Sequence, residues 1–401
     1  NGLIDIQDDI PKYFGPAPPS LIDLLTNYEK KPQIMSSEEA ISLSKPFYYI
    51  LETQGPPEGW LGTQENYNNT LLSGVSKEIL ESTKKGKCTI ILWSSNEGYD
   101  PFQYKIFDKI YEDLENFEIP KDKFIFISAN LMINDLNRAW GSINDKNNLI
   151  KCIPFNNEKH DNYKLMQKNV IFDKYCNDKD NYFLLLNRAP RIHRMALVSW
   201  LHSRNLLDNT LTSFPSEELA PYNFSKKSHL SQYFSNMLSI DRNTKSSVLR
   251  SWSDLEKNHL PLIVDVEEWG TNHYGTSADW LYSKTFFSVV TESVYDDVSI
   301  FLDEKIWKPI YNYHPFIILG TPHCLRKLKE LGFKTFHPFI NESYDEEINH
   351  GKRMSMIVDE IERLCKMLKD WYQNLSHILE YNKEHLHNDR EDFDLLFRIL
   401  N

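Results

Sequence analysis

Glycine is scarce in this 401-residue chain, which has 14 glycines. The motifs G-x-G-x-x-G, G-x-x-x-x-G-K-[ST] and G-x-S-x-G do not occur in the sequence. Their absence argues against dinucleotide oxidoreductases, P-loop NTPases and serine hydrolases of the usual types. Any phosphate site is therefore expected to use Arg and Lys side chains instead of a glycine-rich loop.

Cysteine is also sparse and scattered along the chain. The five cysteines are odd in number and show no C-x-x-C spacing, which argues against a disulfide framework and a zinc site. His193, His202 and His273 have no ligand spacing with acids or cysteines, so we favour structural roles for them. The sequence predicts no metal site, and reduced thiols are typical of a cytoplasmic protein.

Long apolar runs and an excess of positive charge are missing as well. No stretch reaches the about 20 apolar residues of a membrane-spanning helix, and the N-terminus is acidic where a signal peptide is basic. We therefore expect no transmembrane segment, while an anchor or signal upstream of Asn1 stays open. A net charge of −12 disfavours nucleic acid as a partner, because that binding requires Lys and Arg side chains.

Short apolar runs alternate with amphipathic stretches in most of the sequence. CTIILW, PFQYKIFDKIYEDL and KFIFISAN predict a strand, a helix and a parallel strand. Further on, YFLLL, LTSFP, FFSVVTES and HPFIILG predict strands separated by helices, with KTF as a last short strand. This pattern predicts the α/β class with doubly wound parallel sheets.

The length suits two domains followed by a helical end. Residues 1–175 are predicted to form an N-terminal Rossmann-like domain, in which residues 1–85 are too polar to assign. Residues 176–352 are predicted to form a second Rossmann-like domain, with helices or loops inserted at 216–260. Residues 353–401 are charged and helical in pattern. An Asn-, Lys-, Ile- and Tyr-rich composition is typical of AT-rich genomes, such as some viral, protist or bacterial ones.

Three arginines follow the predicted strand YFLLL. Arg188, Arg191 and Arg194 lie in NRAPRIHR, where Pro190 suits the first position of a helix. In a doubly wound sheet, ligands bind beyond the carboxyl ends of the strands, and a helix N-terminus attracts anions. The arginines therefore predict a diphosphate site, with solvated side chains or pairs with nearby acids as the alternative.

Two carboxylates and a lysine follow the predicted strand FFSVVTES. Glu292 comes at the strand end, and Glu304 with Lys305 begins the next helix. Carboxylates suit the hydroxyls of a ribose, and lysine suits a phosphate. An ordinary first-turn acid, favoured by the helix dipole, is the alternative for Glu304.

This stretch resembles the donor-binding motif of the α-1,3-fucosyltransferase family and related inverting glycosyltransferases of the GT-B class. The matching pieces are TES at 291–293, DEKIW at 303–307 and PFIILG at 315–320. Ser293 stands where the family has Asn, and the loop before Glu304 is longer than in the family. The resemblance implies two Rossmann-like domains facing a cleft, a nucleotide-sugar donor and no essential metal.

The resemblance also implies roles for individual residues. Glu292 and Glu304 would contact the ribose and sugar of the donor. Lys305 and an upstream arginine, Arg188 or Arg191, would contact its phosphates. The acceptor would bind on the side of the N-terminal domain.

A third polar strand end is SSNEGYDPF, which follows CTIILW and carries Glu97 and Asp100. An inverting transfer needs a carboxylate that takes the proton of the acceptor hydroxyl. In GT-B enzymes this base comes from the N-terminal domain, which makes Glu97 the first candidate and Asp100 the second. A plain turn, with Asp100 as a helix cap, is the alternative.

The sequence therefore predicts an inverting, metal-independent glycosyltransferase. Its donor would be a GDP- or UDP-sugar, its acceptor a glycan or glycoconjugate hydroxyl, and no other cofactor is expected. A non-catalytic nucleotide- or glycan-binding protein of the same fold and a sugar-phosphate transferase are the alternatives.

Overall fold

The computed structural model describes residues 3–6, 33–43, 45–53, 57, 70–95, 97–156, 159, 179–220, 226–264, 279–367 and 369–388. The chain divides into two compact units, Asn1–Asp161 with Arg390–Asn401, and Asn162–Asp389. The apolar run NVIFDKY at 169–175, residues 390–400 of the stretch with a helical pattern at 353–401, and His273 lie outside the described residues.

A parallel sheet of six strands forms the centre of the first unit. The strands are β1 (Leu3–Ile6), β2 (Gln33–Ile34), β3 (Phe47–Glu52), β4 (Cys88–Ser94), β5 (Phe124–Ser128) and β6 (Lys151–Pro154). Their order across the sheet is β2-β1-β3-β4-β5-β6. The helices are α1 (Ser37–Ser42), α2 (Lys77–Lys84), α3 (Ile106–Asn116) and α4 (Ile133–Ile143), with a 3-10 turn at Lys121–Lys123.

The middle strands of this sheet are buried on both faces. Every side chain of β5 is buried, and so is every side chain of β4 except the half-buried Thr89. Continuous apolar strands are expected where helices cover both sides of a parallel sheet. On one side, Tyr111 of α3 stacks on Trp140 of α4 with ring centroids 4.3 Å apart. The predicted strand, helix and strand are confirmed, although α3 begins at Ile106 and not directly after Pro101.

The second unit has a parallel sheet of four strands. Its elements are β7 (Asn181–Leu186), α5 (Ile192–Ser203), β8 (Leu211–Ser213), α6 (Lys227–Asn236), α7 (Arg242–Asn258), α8 (Asp279–Ser283), β9 (Thr285–Thr291), α9 (Glu304–Tyr311), β10 (Phe316–Leu319), α10 (Cys324–Glu330), α11 (His350–Lys366) and α12 (Ser376–Asn388). Two 3-10 helices lie at Ser343–Glu346 and Lys369–Leu375.

The strand order β10-β9-β7-β8 puts the reversal of the winding direction between β7 and β9. The chain moves outward from β7 to β8, then returns past β7 to β9 and continues to β10. In open α/β sheets, ligands bind outside the carboxyl ends of the strands at such a reversal. The two strand ends concerned are those that carry NRAPRIHR and TES.

The alternation predicted for this half of the chain is confirmed with one exception. Strands and helices occur where the apolar runs predicted them, and the polar stretch 216–260 contains α6 and α7. The strand predicted at KTF, residues 334–336, is wrong because this segment forms no strand. Instead, the amide group of Asn382 in α12 bonds both the N–H and the C=O of Lys334, each at 2.8 Å. Among the described residues, no helix combines the length and apolar character needed to cross a membrane.

Candidate functional site

The candidate site lies at the carboxyl ends of β7 and β9. A buried hydrogen bond joins the two strand ends, in which the Thr291 hydroxyl donates to the Asn187 amide oxygen at 2.7 Å. On the other side, the Glu292 N–H donates to the Leu319 carbonyl at 3.0 Å and extends the pairing of β9 with β10. These bonds hold the backbone from which the polar loops begin.

Arg194 lies in the first turns of α5 and is only 2% exposed. Its guanidinium donates to the carbonyls of Ala189 (3.2 Å), Thr291 (2.9 Å) and Glu292 (3.2 Å). Burial, with the charge of Arg191 nearby, lowers the pKa of this guanidinium. Arg194 therefore connects the N-terminal part of α5 to the end of β9 through the main chain.

Arg188 and Arg191, in contrast, are exposed. Arg191 stands at the N-cap position of α5, and its guanidinium donates to the Ser293 carbonyl at 2.9 Å. Arg188 lies in the turn directly after β7. Together with the first N–H groups of α5, these two arginines present positive charge at the surface of the strand ends.

The start of α9 is organised around Asp303, its N-cap residue. One carboxylate oxygen of Asp303 accepts the Lys305 N–H at 2.9 Å, and the other accepts the Lys305 ammonium at 2.6 Å and the Ser293 hydroxyl at 3.0 Å. Burial opposes ionisation, but Lys305 and these hydrogen bonds hold the pKa of Asp303 at about 2. Asp303 is thus a buried carboxylate that fixes the lysine and the loop after β9.

Lys305 and Glu304 extend from this centre towards solvent. The Lys305 ammonium lies 3.0 Å from a Glu304 carboxylate oxygen, and the two side chains are 24% and 19% exposed. Burial opposes the charge of Lys305, but Asp303 and Glu304 raise its pKa above the ordinary value. The lysine stays charged, and its side chain is partly exposed.

Glu292 is buried directly behind these groups. One of its carboxyl oxygens accepts the Asp303 N–H at 3.1 Å, and the other has no hydrogen-bond partner within the described part of the chain. Burial and the charge of Asp303 raise the pKa of Glu292 well above its ordinary value. The two neighbouring carboxyl groups therefore differ, because Glu292 holds its proton more tightly than Asp303 does.

His193 supports the same loop from α5. Burial and the neighbouring Arg194 lower its pKa well below the ordinary value, so the imidazole is neutral. Its Nε2–H donates to the Glu292 carbonyl at 3.0 Å, and its ring stacks on Tyr295 with centroids 5.6 Å apart. The histidine thus takes a structural role at the site.

Three residues of this site were not among the predicted site residues: Asp303, Ser293 and His193. For Asp303 a signal was present, because Asp directly before a predicted helix is a preferred N-cap. The contacts of Ser293 and His193 depend on how the loop after β9 turns, which spacing does not reveal.

Glu97 and Asp100 lie in the first unit, in the loop after β4. One Asp100 carboxylate oxygen accepts the N–H groups of Phe102 (2.7 Å) and Gln103 (3.3 Å), which caps the turn before α3. Glu97 is half-buried in the same loop. The Asn130 amide, from the loop after β5, donates to the Tyr99 carbonyl at 3.2 Å and holds the two loops together. Hydrogen bonds therefore hold the loop that carries both carboxylates in place.

The chemistry of the second-unit site is that of an anion-binding surface. Three cationic side chains that reach the surface stand beside three carboxyl groups; the cations are Arg188, Arg191 and Lys305, and the carboxyl groups are those of Glu292, Asp303 and Glu304. Such a surface at helix N-termini suits a phosphate or diphosphate, and the carboxyl groups suit hydroxyl groups next to it.

Comparisons with known proteins identify no family for this chain. No family model matches it, and no curated protein matches it. Among solved structures, it is similar to the crystal structure of the DNA-modifying enzyme beta-glucosyltransferase, determined with and without the substrate uridine diphosphoglucose. The two chains are 11% identical, the alignment covers 99% of each, and the TM-score is 0.44. A likeness at this level carries no argument about the activity of this chain.

Proposed function

We propose that this chain is an inverting glycosyltransferase that transfers a sugar from a nucleotide-diphosphate donor to a hydroxyl of a glycan or glycoconjugate. The observation that carries the proposal is the meeting of Arg191, Lys305 and a set of carboxyl groups where the winding of the second sheet reverses. A nucleotide diphosphate needs cations for its phosphates and acceptors for its ribose hydroxyls, and both are present there.

Each donor-site residue has a separate role in this proposal. Arg188 and Arg191 bind the diphosphate with the first N–H groups of α5, and Lys305 contacts it from the start of α9. Glu304 accepts from the ribose hydroxyls, and the carboxyl group of Glu292 forms a hydrogen bond with the donor. Arg194 acts as a positioning residue, because its guanidinium is bound to main-chain carbonyls.

In the chemical step, a carboxylate takes the proton of the acceptor hydroxyl while the oxygen attacks the anomeric carbon. The bond from that carbon to the diphosphate breaks, and the leaving group departs with its electron pair. The arginines and Lys305 stabilise the charge that develops on it, which is why we expect no essential metal. Glu97 is the first candidate for this base and Asp100 the second; one oxygen of Asp100 accepts two backbone N–H groups, as a turn cap does.

The remaining expectations belong to the same proposal. The N-terminal domain would hold the acceptor and the second domain the donor, with the two facing a cleft as in GT-B enzymes. The negative net charge favours a glycan over nucleic acid as acceptor. A non-catalytic binding protein of the same fold and a sugar-phosphate transferase are the competing functions.

A thermal-shift screen tests the donor site. The chain is titrated with GDP, UDP, CDP, dTDP and ADP in the presence and absence of EDTA, and the best nucleotide is repeated on Arg191→Ala and Glu304→Ala. A nucleotide at one hundred times its Kd adds about 2.7 kcal/mol to the stability of the folded state. We expect such a shift with GDP or UDP, independent of EDTA and reduced in both variants.

Arg138→Ala is the matched control, since Arg138 is an exposed arginine of the first unit that pairs with Asp135. Arg138→Ala should show the same thermal shift with nucleotide as the wild type. A chain that no nucleotide stabilises, or variants that respond as the wild type does, would refute the donor site.

A second experiment separates an enzyme from a binding protein. Wild type and Glu97→Gln are compared for release of the nucleotide diphosphate from the matching nucleotide-sugar with glycan acceptors. We expect Glu97→Gln to keep the thermal shift and to lose most of the turnover. Equal turnover in the two proteins would exclude Glu97 as the base, and binding without turnover by the wild type would favour the binding protein.

A further inference from the structure

A second group of polar side chains lies at the opposite end of α5 from the candidate donor site. His202 is in the last turn of α5, Asp254 is in α7, and His259 directly follows α7. The Nε2 atoms of both histidines point to the same Asp254 oxygen, at 2.8 Å for His202 and 3.3 Å for His259. From Arg191, the group is about 16 Å away along the helix axis.

The helices that carry these side chains are firmly packed against each other. Ser199 lies one turn before His202 in α5, and its hydroxyl donates to the Val248 carbonyl of α7 at 2.6 Å. His259 is fixed through its N–H, which donates to the Leu255 carbonyl at 2.9 Å. The three side chains are therefore held together by the fold and not by one mobile loop.

We propose that His202, Asp254 and His259 bind a transition-metal dication, for which Zn²⁺ is the best fit. Two imidazole nitrogens and one carboxylate oxygen are a usual zinc ligand set. Tetrahedral Zn²⁺ with bonds of about 2.0–2.1 Å places its ligand atoms about 3.3 Å apart. The His259–Asp254 separation already has this value, and one possible ligand atom from each residue lies within 4.8 Å of the others.

The surroundings of Asp254 favour coordination. Its second carboxylate oxygen accepts the Asn258 amide at 2.7 Å, which orients the carboxylate and leaves the first oxygen for the metal. The side chains of His202, Asp254 and His259 are 23%, 49% and 48% exposed, so water can complete the coordination. Mg²⁺ and Ca²⁺ prefer all-oxygen sites, which disfavours them at a pair of imidazoles.

In a second group of similar composition, made of His323, Asp345 and Glu346, the two acids are already bound by other residues. There, Asp345 accepts the N–H groups of Leu325 and Arg326 with its two carboxylate oxygens, each at 2.9 Å. Arg326 also pairs with Glu346, the other acid of that group. A metal at His323 would have to displace these bonds, so His323 supplies a matched control for the first group.

Zinc titration of the full chain tests the proposal. Protein without an affinity tag is treated with EDTA, desalted, and titrated with ZnCl₂ by calorimetry, alongside His202→Ala, His259→Ala and the control His323→Ala. We expect one equivalent of Zn²⁺ to bind the wild type and the control equally. Each of the other two variants should bind Zn²⁺ at least about tenfold more weakly. Loss of a residue that only hydrogen-bonds to a metal ligand already lowers metal affinity by that factor.

A spectroscopic measurement tests the carboxylate ligand separately from the histidines. Co²⁺ replaces Zn²⁺ in the wild type, and its visible absorption should change in Asp254→Asn, which keeps the shape of the side chain. Urea midpoints without metal check that the variants fold. Zinc affinity that is unchanged in both histidine variants, or a wild type that binds no Zn²⁺, would overturn the proposal and leave a His–Asp–His hydrogen-bonded group only.

Discussion

Replacement of Arg194 by Met separates a positioning arginine from a ligand-binding one. Arg194 is buried, and its guanidinium donates to the carbonyls of Ala189, Thr291 and Glu292. Methionine keeps most of the apolar stem of the side chain but removes all three hydrogen bonds. The Thr291 carbonyl then loses the guanidinium, whereas the Glu292 carbonyl keeps its bond from His193 and the Ala189 carbonyl keeps its bond from the Arg191 N–H.

The expected loss of stability follows from these contacts. A hydrogen bond to a charged group contributes about 1.5–3 kcal/mol, and a buried group left unpaired costs about 1–3 kcal/mol. Because the Glu292 and Ala189 carbonyls each keep one donor, we expect Arg194→Met to lose about 2–4 kcal/mol of unfolding free energy. That is a large part of the about 5–15 kcal/mol that holds a typical protein folded.

Urea unfolding combined with hydrogen exchange measures this loss. Exchange read by mass spectrometry assigns the change to peptides of the second unit, Asn162–Asp389. Arg191→Met is the control, since Arg191 is exposed and donates to one carbonyl. Its cost in stability should stay within about 0.5–1 kcal/mol, which is usual for surface changes.

The two variants should also differ in nucleotide binding. Arg191→Met should bind the nucleotide more weakly with little change in its free energy of unfolding. For Arg194→Met, the main effect should be a lower free energy of unfolding. If the unfolding free energy of Arg194→Met lies within about 0.5 kcal/mol of the wild-type value, well below the expected loss, the guanidinium does not hold the end of β9 as described.

Three further changes test the surroundings of the site. Gly320→Ala should cost about 1–3 kcal/mol in urea unfolding, because the added Cβ would lie 3.0 Å from Cys324 Sγ and 3.3 Å from Glu292 Cγ; an unchanged midpoint would contradict this packing. Thr291→Val should cost about 1–3 kcal/mol, since it leaves the buried Asn187 amide oxygen without its hydroxyl donor. Burial and a neighbouring carboxylate raise the pKa of Glu292. As the pH rises from 5 to 7, the unfolded chain loses this proton more readily than the folded chain does. The free energy of unfolding of the wild type should therefore fall over that range. Glu292→Gln should lose less stability over that range, and equal slopes for the two proteins would refute the raised pKa of Glu292.

The strands and helices of the second unit could be predicted because their sequences repeat one simple physical pattern. β9 is buried along its whole length, and a continuous apolar run is what such a parallel strand requires. The segment KTF also has the composition of a strand, but it is only three residues long. Its backbone forms hydrogen bonds with the side chain of Asn382, which lies 48 residues further along the chain. Local sequence could not reveal that partner. In the first unit, β3 was missed because it lies in a polar region of the chain.

The candidate site could be predicted in position but not in detail. Arg191 and Arg194 occupy one motif, yet packing of α5 exposes the first and buries the second. Likewise, the distance along the chain between His202 and Asp254 hid a contact made by helix packing. The assembled fold decides which residue of a polar cluster is buried. The spacing of residues along one helix or strand does not reveal it.

Hydrogen exchange with bound nucleotide reports where on the chain the ligand binds. Exchange of the wild-type chain is measured with and without the stabilising nucleotide diphosphate, in EDTA. We predict slower exchange in peptides that cover residues 188–194 and 292–306, with no such change in Arg191→Ala. Protection confined to other peptides, or equal protection in Arg191→Ala, would contradict a donor site at the ends of β7 and β9.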